Sequence, residues 1–391
     1  MRVLTAHNHY LISGGEDKSR ESEDRLLTNY GHHVDSYTLD NQTIKKLGLF
    51  RTAIRTIWSN ESYLDIQKRL RETKYDIFHC ENTFPLISPS VYYAANAEGV
   101  PVVQSLRNYR LLCVNAYLYR NHQVCEDCIG KFLPWPGIVH GCYKGSQLGS
   151  AVVAFMLSFH RLLKTYQKHV DIFVVLTEFA KQKFIEAGLP EEKLLIKPNF
   201  VDPDPKIGEG KGGFALFVGR LSEEKGLHLL LQSWQTLSKH IPLKIVGDGP
   251  LLKYVQDCIH RIPGIEYLGR KTTQEIYQLM GQAKALILPS QWYEGFPRVI
   301  IEAYAKGTPI IASKLGAMQT AIDHQRTGLH FTPGSSTELV QQVEWMLSYP
   351  LEWQAMRREA RSEFEAKYTA DRNYDRLMEI YQLAIERVKR C

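Results

Sequence analysis

The chain lacks a long hydrophobic run. Its most apolar helix candidate, Leu148 to Leu163, is cut by His160 and Arg161 and falls short of the roughly 20 residues that span a bilayer. The N-terminus reads MRVLTAHN, a strand pattern rather than a charged-then-apolar leader, so the expectation is a cytoplasmic protein. Low-complexity tracts are missing, as are repeats with a period of roughly 20–50 residues, which excludes solenoids and propellers. Cysteine is scarce, 7 in 391 residues, too few to suggest a disulfide framework in a cytosolic chain of this size. Charge of one sign is scarce too: the formal net charge of +6 makes no case for nucleic acid, and none is expected as a partner. The sequence has no G-x-G-x-x-G fingerprint, which removes support for a nicotinamide or flavin enzyme.

What is present is an ordinary globular composition, 44% hydrophobic and 23% charged, in a chain too long for one core. Candidate strands begin at Arg2, Val34, Ile77, Val102 and Ile172, then at Phe214, Leu243, Ile265, Ala285 and Ile310. Most are separated by amphipathic helices, such as Asp24–Gly31, Leu227–Ser238 or Thr273–Ala283. Continuous apolar strands alternating with helices predict parallel sheets covered on both faces. The stretch Asn199–Gly213, NFVDPDPKIGEGKGG, reads as a linker between two α/β domains. The expected organisation is residues 1–200, residues 201–369, and a helical tail 370–391. That tail carries Tyr374, Leu377, Ile380, Tyr381, Ala384 and Val388 on one stripe. Two doubly wound domains facing each other would leave a cleft between strand ends, where such sheets bind ligands.

The most informative segment is Leu288–Ala303, LPSQWYEGFPRVIIEA. Glu294 sits on a loop leaving an apolar strand, with Gly295, Phe296 and Pro297 leading into a helix that carries Glu302. Pro297 suits a first helical turn, and the free amides of that turn suit a phosphate or diphosphate. Two acids flanking an anion pocket fit the hydroxyls on either side of a diphosphate. The alternative is a solvated Glu294 and a locally paired Glu302.

Other loops carry chemistry. Ser13-Gly14-Gly15-Glu16 follows the first strand, leads into a helix, and can bring backbone amides to an anion. Gly219-Arg220 through Lys225-Gly226 puts a planar fork and a point charge at the two ends of one tight loop. Gly247-Asp248-Gly249 and Gly269-Arg270 end the next two strands and would add backbone to the same rim.

The runs FVGRLSEEKGLHLLL, IVGDGPLL, YLGRKTTQEI and LPSQWYEGFPRVIIEAYAKGTPIIAS are similar to the retaining nucleotide-sugar transferases of glycosyltransferase family 4. The resemblance covers nearly the whole chain and is strongest from Phe214 to Pro333. It implies the GT-B fold, two facing Rossmann-like domains with the C-terminal helix crossing back to the first. It implies an acceptor-side first domain and a donor-binding second one. By this likeness Glu302 would hold the donor ribose, Glu294 the transferred sugar, and Arg220 with Lys225 the diphosphate. Gly14 and Gly15 would approach from the opposite domain. Gly219, Gly247, Asp248, Gly269 and Arg270 would complete the donor set. The donor substrate would be a nucleoside-diphosphate sugar, with no cofactor or divalent metal needed for transfer. A hexose-type sugar would pass, with retention, to a glycan or lipid-linked acceptor in surface polysaccharide synthesis. One departure matters: where many relatives carry histidine, in a run like H-N-Y-R-L-L-C, this chain has Arg107 in Arg107-Asn108-Tyr109-Arg110-Leu111-Leu112-Cys113. Arginine cannot act as a base, so an electrostatic role is expected. A nucleotide-sugar 2-epimerase and an inactive nucleotide-sugar-binding partner remain alternatives.

Two features lie outside that set. Cys113, Cys125, Cys128 and Cys142, within a loop-rich insertion at about 107–145, include a C-x-x-C pair and are candidate ligands of a structural zinc. Reduced thiols or disulfides are the competing readings, and Cys80, Cys258 and Cys391 are scattered. Residues 41–75 hold Lys45, Lys46, Arg51, Arg55, Lys68, Arg69, Arg71 and Lys74 against Glu61, Asp65 and Glu72. Leu47, Leu49, Phe50, Ile54, Ile57 and Trp58 interleave with the first four cations. Such a segment suits an anionic membrane surface, on the inner face of the plasma membrane, or a lipid-phosphate substrate, or an ordinary solvated helix face.

Overall fold

The computed structural model describes residues 1–11 and 14–390. Ser13 and Cys391, both noted above, lie outside them. The chain divides into two compact units: Met1–Leu118, Glu126–Pro198 and Asn373 onward form the first, and Tyr119–Cys125 with Asn199–Arg372 form the second.

The first unit is built on strands β1 (Arg2–His9), β2 (His33–Asp40), β3 (Ile77–Asn82), β4 (Val102–Leu106), β7 (Ile172–Val175) and β8 (Leu194–Ile196). They form one parallel sheet in the order β2-β1-β3-β4-β7-β8. A two-residue hairpin, β5 (Tyr119–Arg120) with β6 (Gln123–Val124), is counted with the second unit. β3 and β4 are buried throughout, as strands covered on both faces must be. The helices used below are α1 (Gly15–Asn29), α2 (Leu49–Ile57), α3 (Gln147–Leu162), α4 (Leu227–Leu237), α5 (Arg298–Ala305) and α6 (Ala370–Arg390). The stripe of the tail does what its period predicts. Leu377, Ile380, Tyr381 and Ala384 of α6 pack with Val3, Ile77, Val103 and Ile172 in one core.

α1 begins at Gly15, where a helix is expected to follow the glycine pair, and runs without a break into the amphipathic stretch from Asp24. Its buried face is polar, with Asp17, Ser19, Arg20, Ser22 and Glu23 turned inward, so no apolar period marks it. Gly14 is the N-cap, and its amide donates to Asp17 Oδ2 at 2.9 Å. Arg20 and Asp24 pair at 2.8 Å one turn apart.

The second unit repeats the scheme with β9 (Ala215–Val218), β10 (Leu243–Val246), β11 (Ile265–Tyr267), β12 (Ala285–Leu288), β13 (Ile310–Ser313) and β14 (Gly328–Phe331). The order is β11-β10-β9-β12-β13-β14, all parallel, so chain order reverses between β9 and β12. Phe217, Leu230, Trp234, Ile245, Ile287 and Met346 belong to its core.

Asn199–Gly213 is not a loose tether. Gly208, Gly210 and Gly212 donate backbone hydrogen bonds to Lys306, Gly281 and Gln282 at 2.8–2.9 Å. Asp204 is gripped by Arg361 at 2.7 Å. Glycine is required at 208, where backbone lies against backbone and a Cβ would fall 2.2 Å from Gly281, and at 210, where a Cβ would meet the Arg357 guanidinium at 2.5 Å. Among the described residues no helix is long and apolar enough to cross a membrane.

Candidate functional site

In an open parallel sheet, ligands bind beyond the strand C-termini at the point where strand order reverses. In the second unit that point lies between β9 and β12, and the loops leaving these two strands carry the acids and cations singled out above.

The loops after β9, β10 and β11 are stitched side by side. Gly219 N–H donates to Val246 O, Gly247 N–H to Gly269 O, and Leu221 N–H to Asp248 O, at 2.9–3.0 Å. Gly247 has φ +142°, and a Cβ there would sit 1.8 Å from the Gly219 carbonyl. Gly226, with φ +73°, ends a 3-10 turn at Glu223–Lys225, and its Cβ would lie 1.9 Å from the Pro289 carbonyl. Glycine at both places lets the β9 loop close on its neighbours.

That closure brings Lys225 to Glu294. Lys225 Nζ lies 2.7 Å from Glu294 Oε1, and the same oxygen accepts from Ser290 Oγ at 2.7 Å. Glu294 is buried, and the Lys225 ammonium also stands 5.7 Å from the Trp292 ring centre. Arg220 is more exposed and reaches Glu224 at 2.7 Å and Ser222 at 3.3 Å. Burial raises the Glu224 carboxyl, but the Ser222 hydroxyl and the Arg220 charge outweigh it and hold the group below its ordinary range. The Glu224 carbonyl accepts from the Gln291 amide at 2.8 Å, tying the β9 loop to the β12 loop.

Further along, buried Phe296 accepts from Asn199 through its carbonyl at 3.2 Å. Pro297 is the N-cap of α5, one residue ahead of the expected first turn, with extended backbone. Glu302 is half-buried and faces Arg298 at 3.6 Å. Tyr277 lies close enough that burial, with the Glu302 charge second, pushes its phenol up to about 12. Asp248 accepts from Arg270 at 3.0 Å and from the Gly249 amide at 2.7 Å. Gly295 is half-buried beside Glu294.

In the first unit the reversal lies between β1 and β3. The Gly14 amide is committed to Asp17, and Gly15 is exposed at the first turn of α1. Arg107, directly after β4, is half-buried with its side chain 5% exposed, and it forks onto Glu81: Nε to Oε2 at 2.6 Å and Nη2 to Oε1 at 3.1 Å. Glu23 adds a contact at 3.6 Å and is itself held by Lys197 at 2.5 Å. Burial raises Glu81, yet Arg107 and then His79 bring it well below the ordinary carboxylate range. Much of the charge that the expected electrostatic role of Arg107 relies on is thus neutralised inside the unit.

A neighbouring group went unread in the sequence. Glu16 Oε2 accepts from Tyr10 OH at 3.1 Å and Asn108 Nδ2 at 3.3 Å. Glu16 Oε1 is buried with no partner among the described residues, and burial raises this carboxyl. Ser290 was missed too; its only signal is a hydroxyl four residues before Glu294.

Of the four cysteines, Cys113 and Cys128 are buried and Cys142 packs beside the Val153–Leu157 cluster, all in the first unit, while Cys125 is counted with the second. Cys113 Sγ contacts Asn115 Oδ1 at 2.9 Å.

Residues 203–363 match the family described as glycosyl transferases group 1. The chain is 24% identical over 293 residues to an uncharacterized glycosyltransferase of Methanocaldococcus jannaschii, covering 71% of this chain and 81% of that protein. It is 31% identical over 161 residues to the D-rhamnosyltransferase WbpZ of Pseudomonas aeruginosa, covering 40% of this chain and 42% of the relative. Among solved structures, Anabaena Alr3699/HepE in complex with UDP superposes with a TM-score of 0.70 at 17% identity, covering 97% and 99% of the two chains. The chain therefore has the GT-B fold of two parallel-sheet α/β domains, and its second unit carries the glycosyl transferases group 1 segment.

Proposed function

We propose that the protein is a retaining glycosyltransferase of the family 4 type. It moves a hexose-type sugar from a nucleoside-diphosphate sugar to a glycan or lipid-linked acceptor in surface polysaccharide synthesis. One observation carries the reading: a buried carboxylate, Glu294, held by Lys225 and Ser290 at the strand-order reversal of the matched segment. The rhamnosyltransferase relative and the UDP bound to the Anabaena neighbour support a nucleotide-sugar donor.

In this reading Glu302 takes the ribose hydroxyls and Glu294 a hydroxyl of the transferred sugar. Lys225 and Arg220 take the diphosphate, together with the amides that open α5. The backbone of Gly219, Gly247 and Gly269, with Asp248 and Arg270, borders the nucleotide, and Phe296 with Pro297 shapes the approach to α5. Gly14 and Gly15 keep their assignment as close-approach positions for an anion. Two fixed cations and a helix terminus neutralise charge as the diphosphate departs, so no divalent ion is needed. The acceptor hydroxyl attacks from the face the diphosphate leaves, and a departing phosphate oxygen takes its proton. Arg107 acts as a positioning residue: its fork on Glu81 fixes the loop from which Asn108 reaches Glu16. The protein works in the cytoplasm, at the membrane where lipid-linked acceptors reside. A structural zinc on Cys113, Cys125, Cys128 and Cys142 belongs to the same reading, and metal analysis finding none would remove it.

The test is incubation with UDP-, GDP-, ADP- and dTDP-hexoses. Slow release of free nucleoside diphosphate, abolished by Glu294→Gln, is the expected result. Formation of a 2-epimer would replace this reading with an epimerase, and binding without turnover would make the protein a non-catalytic partner. Arg107→Lys should keep more activity than Arg107→Ala; equal, wild-type turnover in both would end the positioning role.

A further inference from the structure

The helix α3 is apolar on two sides. Inward, Val153, Ala154, Met156 and Leu157 pack with Val114 in a core cluster. Outward runs a second stripe in which Leu148, Phe155 and Leu162 are 84%, 55% and 69% exposed, with half-buried Val152 and Phe159 between them. A surface helix of a soluble protein normally turns charged and polar residues to that side. Here the whole helix carries no charged residue until its last turn.

Neighbouring segments extend the same character. α2 packs on α3, and the carbonyl of its last residue, Ile57, meets His160 Nε2 at 2.9 Å. From α2, Leu49 and Phe50 stand 87% and 79% exposed. Residues 131–133 are pinned beside α3, because Ser158 Oγ donates to the Phe132 carbonyl at 3.1 Å and Arg161 bonds the carbonyls of Lys131 and Phe132. The pinned backbone leaves Phe132, Leu133 and Trp135 exposed.

Within these segments the charge has one sign, although Arg55 of α2 reaches outside them to Glu61 at 2.7 Å. Residues 41–60 and 131–164 contain no aspartate or glutamate. They carry exposed Lys45, Lys46, Arg51, Lys131, Lys144 and Lys164.

We propose that the first unit docks on an anionic lipid bilayer through the outer faces of α2 and α3 and the segment around Phe132–Trp135. This deepens the membrane location in the reading above. Exposed large apolar side chains on segments whose own charges are all cationic fit an interface where acyl chains lie beneath anionic headgroups. A polyanion such as nucleic acid would leave the apolar stripe in water. A protein partner would need a matching acidic rim around an apolar centre. The helix is too short to span, so it lies in the interfacial plane, with Trp135 at headgroup depth.

Flotation with vesicles of phosphatidylcholine alone, and of phosphatidylcholine with one-third phosphatidylglycerol, tests this. The protein should float with the anionic vesicles and stay in solution with the neutral ones. Lys45→Gln/Lys46→Gln should weaken partitioning about 30-fold, roughly fivefold per cation. Phe50→Ser/Phe155→Ser should abolish flotation, and both variants should release nucleoside diphosphate from donor at the wild-type rate in vesicle-free buffer. Wild-type protein that remains soluble with anionic vesicles overturns the proposal. So does a wild-type dimer that Phe50→Ser/Phe155→Ser converts to monomer by light scattering, since a second copy would then cover this face. Flotation without any donor turnover would keep the docking surface and reject the transferase.

Discussion

Lys225 and Glu294 are worth more as a pair than either charge alone. A buried carboxylate without its cation would lose the interaction that offsets its desolvation, while Lys225 without Glu294 would be an ordinary exposed-tip lysine. Without donor, the two neutralise each other across 2.7 Å. A diphosphate arriving at Lys225 would compete for the ammonium and leave Glu294 able to accept a sugar hydroxyl. Lys225→Met should therefore lower donor turnover on the order of 100-fold or more and destabilise the second unit. Adding Glu294→Gln should restore stability but not turnover. Denaturation and kinetics on the double-mutant cycle check this, and restored turnover would make the pair structural. A second prediction concerns Asp17. Burial raises this carboxyl, but bonds from His7 and the Gly14 amide prevail and bring it down to about 2 from its ordinary 3.8. A lowered folded-state value gives stability that is present above pH 4 and lost as pH falls from about 4 to 2. The contribution is about 2 kcal/mol at neutral pH. Asp17→Asn should be less stable by that order near pH 7, and its difference from wild type should vanish near pH 2. A gap that persists there would mean that the loss is steric.

Elements were legible where a physical period marked them. Each strand start expected from apolar runs falls within one residue of an observed strand, from Arg2 through Ile310. β8 and β14, Leu194–Ile196 and Gly328–Phe331, were not anticipated, although β11 is an edge strand just as short and was; in β14 the polar His330 interrupts the apolar run. The first half of α1 was marked only by the glycine pair before it, because its buried side chains are polar and give no apolar period. The outer stripe of α3 was visible only as overall apolarity, since sequence does not say which of two apolar faces meets the core. The site divides in the same way. Glu294, Glu302 and Lys225 announce themselves as charges interrupting loops and apolar faces, whereas Tyr10, Glu16 and Asn108 meet only after β1 and β4 are placed in one sheet. The glycine after Lys225 offers a test at this scale. Its φ of +73° and the 1.9 Å approach of the Pro289 carbonyl leave no room for a methyl group. Gly226→Ala must push the β9 loop off the β12 loop, costing about 1–3 kcal/mol and moving Lys225 away from Glu294. Donor affinity should fall at least tenfold in titrations followed by thermal shift; unchanged affinity would place the diphosphate elsewhere.

At the scale of the whole molecule, charge is distributed by task. The formal +6 is small, yet two segments free of acids carry the proposed docking face, while at the site of the second unit Arg220, Lys225 and Arg270 each stand beside a carboxylate. Paired cations of this kind are pre-oriented and need no reorganisation when an anion displaces the carboxylate, which is the requirement for stabilising a leaving diphosphate without a metal. The acids around them are no argument for a divalent ion: Glu294 is shared between Lys225 and Ser290, and Glu224 between Arg220 and Ser222. A chelator therefore separates the two ways of neutralising the leaving group. Donor turnover measured in excess EDTA should equal that in millimolar Mg²⁺, and raising salt should weaken donor binding, because exposed cations such as Arg220 are screened. If the four cysteines hold zinc, the chelator should lower thermal stability over hours while initial rates stay constant. Immediate loss of turnover in EDTA, restored by Mg²⁺, would instead place a metal at the diphosphate and take from Lys225 and Arg220 the role given to them.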